Sequence, residues 1–161
     1  MLTDDSGSCL TVDDIVTGIE RTPCLRIATE TGRSLLVTDG HPISTANGFY
    51  PAKELSIGDL IKTESGLETV LSITEERYLG IVYNLKLGGD DQEDLSSCGA
   101  THFANGILVG DGNMQSALLD QRKREARKPR SIAELPEEWR FDAENAERLK
   151  EGEVLIPYIL E

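Results

Sequence analysis

The chain of 161 residues has only two histidines, and each stands shortly before the same tripeptide, Ala-Asn-Gly. His41 lies in the run "TDGHPISTANG" and His102 in the run "THFANGILVG". An imidazole gains or gives a proton near neutral pH, so either residue could serve as a general acid or base. The alternative for His41 is a turn histidine, placed before Pro42 and hydrogen-bonded to nearby backbone. The shared context indicates that the two histidines hold matching positions in the fold.

Three cysteines are the other residues suited to nucleophilic chemistry. Cys9 follows Ser-Gly-Ser, Cys24 lies in the apolar run "PCLRI", and Cys98 stands four residues before His102. Their number is odd and no pair has the Cys-x-x-Cys spacing, so neither a disulfide framework nor a metal centre is predicted. Cys24 is interpreted as a small core residue. Cys9 and Cys98 are possible nucleophiles, but for each the simpler interpretation is a loop cysteine without a chemical role.

The formal net charge of -13 limits the partners that the protein can bind. A chain this acidic repels nucleic acid and anionic membrane surfaces, so neither is predicted as a partner. No run approaches the roughly 20 apolar residues of a membrane span, and the first residues lack the features of a signal peptide. The default expectation is a soluble, cytoplasmic protein. The acidic run "DDQED" lacks the spacing of an EF-hand loop, so no metal site and no cofactor is predicted.

Short strands separated by turns must position these side chains. Residues 10 to 114 show apolar runs broken by glycine-containing turns, and no helical period. "CLRIATETGRSLLVT" predicts a hairpin, and "LSIGDLIKTESGLETVLSITEER" predicts two strands separated by a Ser-Gly turn. "GIVYNLKL" and "FANGILVG" complete the set. The pattern predicts an all-β domain.

The β region can be divided into two copies of one unit. "MLTDDSGSCLTVDDIVTGIER" and "LIKTESGLETVLSITEER" share an acidic residue with Ser-Gly, then Val, Ile and Glu-Arg in the same order. The separation of Gly7 from His41 is nearly equal to that of Gly66 from His102. Each histidine therefore occupies the same place in its copy. Ile-Gly-Asp-Leu precedes the second copy but not the first, so we expect the chain to begin inside its first copy.

From about Met114 onward the composition becomes helical and charged. The predicted boundaries are a β domain over residues 1–114 and a charged helical extension over residues 115–161. Ser131 is the expected N-cap of a helix in this extension, and Gly152 its C-terminal stop. The basic run "QRKREARKPR" is interpreted as the solvated face of a helix rather than as a nucleic-acid site.

Several motifs, in this order, resemble those of the Hint fold, which inteins share with the Hedgehog autoprocessing domain. "VTDGHP" is similar to the family's Thr-x-x-His motif, and "LSIGDLI" to its Gly-Asp turn. "VYNLKL" followed by "THFANGILVGD" is similar to the C-terminal intein motifs. The resemblance implies a Hint-type horseshoe of two pseudo-symmetric β subdomains, with the helical extension after it. The two copies found in the sequence agree with that symmetry.

The resemblance also implies a chemistry, which is cleavage of the protein's own backbone in a single turnover. A Cys or Ser at the domain's first residue attacks the preceding carbonyl, so that an amide becomes a thioester or ester. By resemblance, His41 gives a proton to the departing nitrogen, Thr38 positions that peptide, and His102 assists cleavage at the C-terminal junction. This role calls for a histidine pKa near neutral and for a stabilised oxyanion. The implied partners are flanking segments of the same precursor or a complementary N-terminal fragment.

Three features depart from the family's pattern. The family's opening Cys lies much further before the Thr-x-x-His motif than Cys9 does, so the nucleophile is expected upstream, on a separate chain, or lost. Gly110 and Asp111 stand where the family has its final His-Asn. An ionised carboxylate is a poor route to a cyclic imide, so splicing through Asp111 is not expected, whereas N-terminal cleavage would survive the change. The inserted run "GGDDQEDLSSCGA" is interpreted as a solvated loop.

Three functions stay open at this point. The first is a Hint domain of the intein-like autoprocessing type, degenerate or incomplete in this chain. The second is a non-catalytic β-scaffold that acts as a binding or interaction module. The third is a conventional thiol enzyme that uses Cys98 and His102, and it ranks last because no third orienting residue can be named.

Overall fold

A computed structural model describes residues 4–7, 10–88, 100–127, 133 and 137–150. Its strands are β1 (Val12–Ile19), β2 (Cys24–Thr29), β3 (Ser34–Val37), β4 (Pro42–Thr45), β5 (Gly48–Pro51), β6 (Leu60–Thr63), β7 (Gly66–Glu76), β8 (Ile81–Leu87), β9 (Thr101–Ala104) and β10 (Ile107–Gly110). Its helices are α1 (Gly112–Arg127) and α2 (Glu137–Lys150), and one 3-10 turn covers Ala52–Glu54. The sequence-based expectations for Cys9, Cys98, Ser131 and Gly152 fall outside the described residues.

The hairpins form where the turn residues predict them. β2 and β3 pair antiparallel on either side of Glu30-Thr31-Gly32, and Gly32 has a φ of 86°. A residue with a Cβ rarely adopts this backbone conformation, which is why glycine fits the turn. β6 and β7 flank the Ser-Gly turn, which the Thr63 hydroxyl closes by donating to the Gly66 carbonyl at 2.9 Å. These two predicted hairpins are confirmed.

The strands form one large sheet and one ribbon. The large sheet has eight strands, in the order β3-β2-β7-β6-β10-β4-β5, with β9 paired to β10. β1 and β8 form a separate two-stranded ribbon. Every pairing between the described strands is antiparallel. The predicted class, all-β with helices at the C-terminal end, is confirmed.

Two strand pairs share one register. Ile19 faces Ile81 in the β1–β8 ribbon, and Leu25 faces Glu75 in the β2–β7 pair. Residues 16–19 face residues 81–84, and residues 25–28 face residues 72–75. The two ladders therefore continue one antiparallel register along the same two segments of the chain.

The hydrophobic core lies within the large sheet. Its centre consists of side chains with no exposed surface, from β2, β4, β6, β7 and β10: Ile27, Ile43, Ile61, Val70, Ile107 and Val109. Burying a side chain of this size contributes about 1.5–3 kcal/mol to folding. Because β2 and β4 precede β7 and β10 in the chain, this core joins the two halves of the β domain.

A buried carboxylate ties three neighbouring strands together. Glu68 in β7 is 3% exposed and accepts hydrogen bonds from Thr29 and Thr31 at 2.6 Å each and from Thr63 at 3.0 Å. The Arg33 guanidinium adds an ion pair at 3.0 Å. These donors, with the Thr29 hydroxyl first, lower the pKa of Glu68 from 4.5 to about 2. The carboxylate is therefore a structural anchor between β2, β6 and β7.

The helices lie at the C-terminal end of the described chain. By its internal contacts the chain divides into two compact units between Gln121 and Arg122, inside α1. The predicted boundary at residue 114 stays a prediction. In the second unit, Arg140 of α2 donates a hydrogen bond to the Ala133 carbonyl at 2.8 Å. Neither described helix combines the length and the apolar character that a membrane crossing needs.

Candidate functional site

His41 stands in a closed turn between β3 and β4. Its backbone N–H donates to the Thr38 carbonyl at 3.1 Å, and its own carbonyl receives the N–H of Ala52 at 2.9 Å. The next residue, Pro42, is buried and begins β4. Backbone hydrogen bonds on both the N–H and the carbonyl of His41, together with the start of β4 at the next residue, fix the backbone from which the imidazole projects.

His102 is held by the β9–β10 hairpin. It lies in β9 opposite Val109 of β10, and its side chain is 7% exposed. The hairpin turns at Asn105 and Gly106, whose φ angles are 48° and 75°. Positive φ at both central residues is the requirement that Asn-Gly meets in two-residue hairpin turns. The Asn105 amide also donates to the Ser34 carbonyl at 3.0 Å, which fixes the hairpin against β3.

The two histidines meet at one cleft of about 600 Å³. Its walls come from β1, β3 and β8, and its polar lining includes Thr38, His41, His102, Cys24, Asn84 and Gln115. Three of the residues predicted from the sequence, Thr38, His41 and His102, therefore lie together. His102 is far from Thr38 and His41 in the sequence, so only the fold brings it to them.

Burial keeps both imidazoles neutral at neutral pH. Removal from water lowers the pKa of His41 from 6.5 to about 4, and the neighbouring His102 adds to the decrease. The neighbouring Gln115 amide and the charge of Asp111 oppose this effect without cancelling it. Burial also lowers the pKa of His102, against the charge of Asp111. Because desolvation disfavours the charged imidazolium, the pKa of His41 lies below the near-neutral value that its expected role calls for.

Two buried polar atoms at the cleft have no hydrogen-bond partner among the described residues. They are Nδ1 of His102 and Oδ1 of Asn84. Leaving a buried polar atom unpaired costs about 1–3 kcal/mol, so such atoms are uncommon in folded proteins. Both residues line the cleft, from β9 and β8.

Asp111 stands beside the cleft and caps α1. One oxygen of its buried side chain accepts the N–H of Met114 at 3.0 Å, and the other accepts the N–H of Leu87 at 3.1 Å. Its backbone N–H donates to the Ala100 carbonyl at 2.9 Å, and its carbonyl receives the N–H of Gln115 at 3.0 Å. This is the pattern of a helix N-cap. Asp111 does not line the cleft and acts on the histidines through its charge.

Cys24 is the one cysteine among the described residues, and it lies at the cleft. It is 2% exposed, and burial raises the pKa of its thiol. A protonated, buried thiol is a poor nucleophile, in agreement with its interpretation as a core residue. Cys9 and Cys98 lie outside the described residues, so their nucleophilic role stays a prediction. Within the described ranges, no group of three His, Cys, Asp or Glu side chains could hold a metal ion.

Sequence reasoning missed Asn84 and Gln115. The Asn84 amide donates from Nδ2 to Oε1 of Gln115 at 2.8 Å, which connects β8 to α1. Asn84 stands in an ordinary strand run, and Gln115 in a polar helix. The one available signal is spacing, because Gln115 follows the cap Asp111 by four residues and therefore lies on the first turn of the helix.

Solved structures identify the fold. The gp41-1 intein is similar to the chain with a TM-score of 0.55 and 18% identity, over 68% of this chain and 79% of the intein. A DnaB intein from Synechocystis sp. PCC 6803 gives a TM-score of 0.54 and 20% identity, over 69% and 77%. The MchDnaB-1 intein gives 0.53 and 13%, over 68% and 80%. No protein-family model and no curated protein matches the sequence. The chain therefore has the fold of the inteins, as its motifs imply.

Proposed function

We propose that this chain of intein-like fold is an autoprocessing module that cleaves a peptide bond on its N-terminal side and has lost the final step of protein splicing. The observation that carries the proposal is the meeting of Thr38, His41 and His102 at one cleft. The motif resemblance assigns backbone cleavage to these residues, and the cleft gives them a common substrate position. The reaction occurs once per chain, so the module is not an enzyme of repeated turnover.

The proposed step is an acyl shift. A thiol or hydroxyl attacks the carbonyl carbon of the peptide bond before it, so a C–S or C–O bond forms and the C–N bond breaks. The proton of the nucleophile ends on the departing nitrogen, which becomes a free α-amine. His41 is neutral, because its pKa lies at about 4, and can accept this proton and pass it to the nitrogen. The resulting ester or thioester is then opened by water or an added thiol.

The nucleophile is proposed to come from a partner segment. Among the described strands β1 pairs with β8 alone, whereas β7 pairs with both β2 and β6. All eight residues of β1 are exposed. An open strand edge can accept an extended segment through backbone hydrogen bonds. This segment would belong to the same precursor or to a complementary N-terminal fragment.

We also propose that the β domain consists of two copies of one unit. The shared order of features in the two sequence copies supports this inference, with His41 and His102 as the equivalent residues.

Loss of the final splicing step is proposed from Gly110 and Asp111. Splicing in the resembled family ends with cyclisation of an asparagine, and Asp111 stands at that place. Its carboxylate is held by the N–H groups of Leu87 and Met114. Its carbonyl is part of the first hydrogen bond of α1. The residue is thus bound as a helix cap rather than placed to attack its own backbone.

The test is intact mass of the chain placed between two tag proteins. One version contains residues 1–161, and a second is extended upstream in its genomic reading frame. Both are incubated near neutral pH with and without dithiothreitol, and each is paired with a His41→Ala variant. Cleavage at the N-terminal junction that disappears in His41→Ala supports the proposal. Unchanged mass in both versions would refute cleavage by a nucleophile on the same chain, and cleavage that persists without His41 would refute the role of His41.

A second candidate is a non-catalytic scaffold that binds a partner through the β1–β8 ribbon. Ile15, Ile19, Ile81 and Tyr83 are each more than half exposed. They share one face of the ribbon, because Ile19 pairs with Ile81 and Tyr83 with Thr17. Exposed apolar side chains grouped in this way are typical of an interaction surface. This candidate is favoured if no cleavage occurs.

A further inference from the structure

We propose that Asn105, at the tip of the β9–β10 hairpin, is a positioning residue that holds His102 in place relative to His41. Its side-chain amide joins the hairpin that carries His102 to the strand that leads to His41. The importance of this contact for cleavage rests on the proposed function. The contact and its effect on the imidazole of His102 can be tested without any cleavage.

The short strand β9 depends on anchors at both of its ends. Among the described strands it pairs with β10 alone. Before the strand, the carbonyl of Ala100 accepts the backbone N–H of Asp111 at 2.9 Å. After the strand, Nδ2 of Asn105 donates to the carbonyl of Ser34 at 3.0 Å. His102 lies between these two anchors, so the loss of either one should loosen the strand that carries it.

The acceptor of the Asn105 amide lies on the strand that leads to the other histidine. Ser34 is the first residue of β3, and Thr38 and His41 follow directly after this strand. The hydrogen bond therefore connects two segments that are 71 residues apart in the sequence. The distance between His102 and His41 is thus controlled in part by one side chain that lies outside the cleft.

The glycine after Asn105 allows the tip of the hairpin to pack closely on its support. The carbonyl of Gly106 accepts the backbone N–H of Glu64 at 3.0 Å. A Cβ at Gly106 would collide with Nη1 of Arg33. Arg33 is itself held by the ion pair with the buried Glu68 at 3.0 Å. The tip therefore rests on a fixed surface, on which the Asn105 amide has a defined acceptor.

The two Ala-Asn-Gly tripeptides separate docking of a hairpin from formation of its turn. Asn105 has a φ of 48°, a conformation that glycine adopts more readily than asparagine. Glycine would therefore meet the needs of the turn, and the amide adds the contact with Ser34. Asn47, in the other tripeptide, is exposed and donates its backbone N–H to Oγ1 of Thr45 at 3.1 Å. Within the described part of the chain, its side chain forms no hydrogen bond with another strand.

Asn105→Gly is the test variant, because it keeps the positive φ and removes only the amide. Asn47→Gly is the matched control, since it makes the same change in the tripeptide that is not docked. The first readout is hydrogen exchange of the backbone amides in the full chain. In Asn105→Gly we expect the amides of β9 to exchange about two- to tenfold faster, as the loss of one hydrogen bond implies. In the control they should exchange as in the parent.

The second readout is NMR titration of the ring signals of His102. The chain has two histidines, so His41→Gln leaves His102 alone for assignment. Burial lowers the pKa of His102, against the charge of Asp111. His41 and Cys24 line the same cleft, and the test variant alters none of these groups. A loosened β9 admits water, so in Asn105→Gly we expect the pKa of His102 to rise toward its ordinary value of 6.5.

The outcomes separate positioning from a general loss of stability. Urea unfolding followed by circular dichroism confirms that the variants are folded. Faster exchange confined to β9, with a raised pKa of His102, supports the inference even if the protein never cleaves a peptide. An unchanged titration of His102 in folded Asn105→Gly would overturn the inference, whatever the exchange of β9. Faster exchange in all strands alike would show that Asn105 supports overall stability and does not position His102.

A version of the protein that cleaves provides a further comparison. Its single-turnover rate constant should fall in Asn105→Gly and stay as in the parent in Asn47→Gly. Equal rate constants for the two variants would show that the contact does not serve cleavage, whereas absence of cleavage in the parent bears only on the proposed function.

Discussion

The side chain of Asp111 receives the backbone N–H of Leu87 at 3.1 Å and so joins the end of β8 to the start of α1. The same carboxylate caps the helix through the N–H of Met114 at 3.0 Å. Asp111 stands where the C-terminal intein motif that this chain resembles has its final asparagine. Both of its carboxylate oxygens accept backbone hydrogen bonds. The first prediction follows from these two hydrogen bonds.

Asp111→Ala should lower the free energy of unfolding by about 2–4 kcal/mol, since a cap is lost and the buried N–H of Leu87 loses its acceptor. Asp111→Asn should cost less, because asparagine is an equally good cap and one oxygen remains. Urea unfolding followed by circular dichroism measures both. Asp13→Ala, at an exposed position of β1, is the control and should stay within about 0.5 kcal/mol of the parent.

Asp111→Asn also tests the lost splicing step. Its intact mass should stay that of the full chain, because the new amide replaces a helix cap rather than a free side chain. A product lacking residues 112–161 would contradict the assignment of Asp111 as a bound cap.

The second prediction concerns stability near neutral pH. The pKa of His41 is lowered from 6.5 to about 4, so the unfolded chain binds a proton that the folded chain does not. The contribution of His41 to the free energy of unfolding is fully present above about pH 6.5 and is lost as the pH falls toward 4. It amounts to at most about 3 kcal/mol. Urea unfolding at pH 7, 6 and 5 should show a decrease that is smaller in His41→Gln.

His102→Gln is the comparison for this experiment. Burial lowers the pKa of His102 as well, so this variant should also reduce the dependence on pH. The double variant should be the least sensitive of the four proteins between pH 7 and 5. Equal slopes for the parent and His41→Gln would show that the imidazole is not buried as described.

The third prediction concerns acid below that range. Four side chains donate to the carboxylate of Glu68 and lower its pKa from 4.5 to about 2. A lowered carboxyl pKa gives stability that is present above pH 4.5 and is lost as the pH falls toward 2. Glu68→Gln should lower stability at pH 7 and remove part of the acid dependence, because an amide NH₂ cannot accept these hydrogen bonds. Urea midpoints at several pH values measure the effect.

Glu75→Gln is the matched control for Glu68→Gln. Glu75 lies in the same strand, β7, and is exposed. We expect it to leave the urea midpoint at pH 7 nearly unchanged. If the two variants behave alike, the hydrogen bonds to Glu68 do not stabilise the fold.

The fourth prediction concerns the close approach of α1 to β10. A Cβ at Gly110 would collide with Sδ of Met114 and lie 3.0 Å from Cβ of Pro42. Gly110→Ala should therefore destabilise the protein by about 1–3 kcal/mol through overpacking. The cost should shrink in a Met114→Ala background, which makes room for the new methyl group. A double-mutant cycle measured by urea unfolding gives this coupling.

Gly18→Ala is the control for the glycine change. A Cβ at Gly18 meets no atom within 4 Å. This substitution should be neutral or slightly stabilising in a strand. A similar loss in Gly18→Ala and Gly110→Ala would show that packing against Met114 is not the cause.

The hairpins could be predicted from the sequence because their signals are local. Gly32 lies between two apolar runs, and the positive φ of the turn needs that residue type. The sequence could not predict which residues of each Ala-Asn-Gly tripeptide form the hairpin turn. Asn105 and Gly106 form the turn of β9–β10, whereas in β4–β5 the turn falls one residue earlier and Gly48 already pairs with Thr45. Cross-strand packing decides this register, and a tripeptide carries no information about it.

The candidate site was predictable in part. Thr38 and His41 stand in one motif, and His102 in a second, so the sequence marks all three. Gln115 was missed because it reaches the cleft from a helix, through a hydrogen bond to Asn84, a residue far from it in the sequence. The pKa of His41 was also beyond sequence reasoning, because it depends on how completely the neighbouring strands exclude water.

The reciprocal pairing of β1 with β8 and of β2 with β7 has a consequence for a chain that contains only one half. Each half gives a long strand to the other and receives one in return, so neither can satisfy its own backbone by itself. A chain cut between β5 and β6 would therefore leave unpaired strands in both pieces, and we expect neither piece to fold without the other.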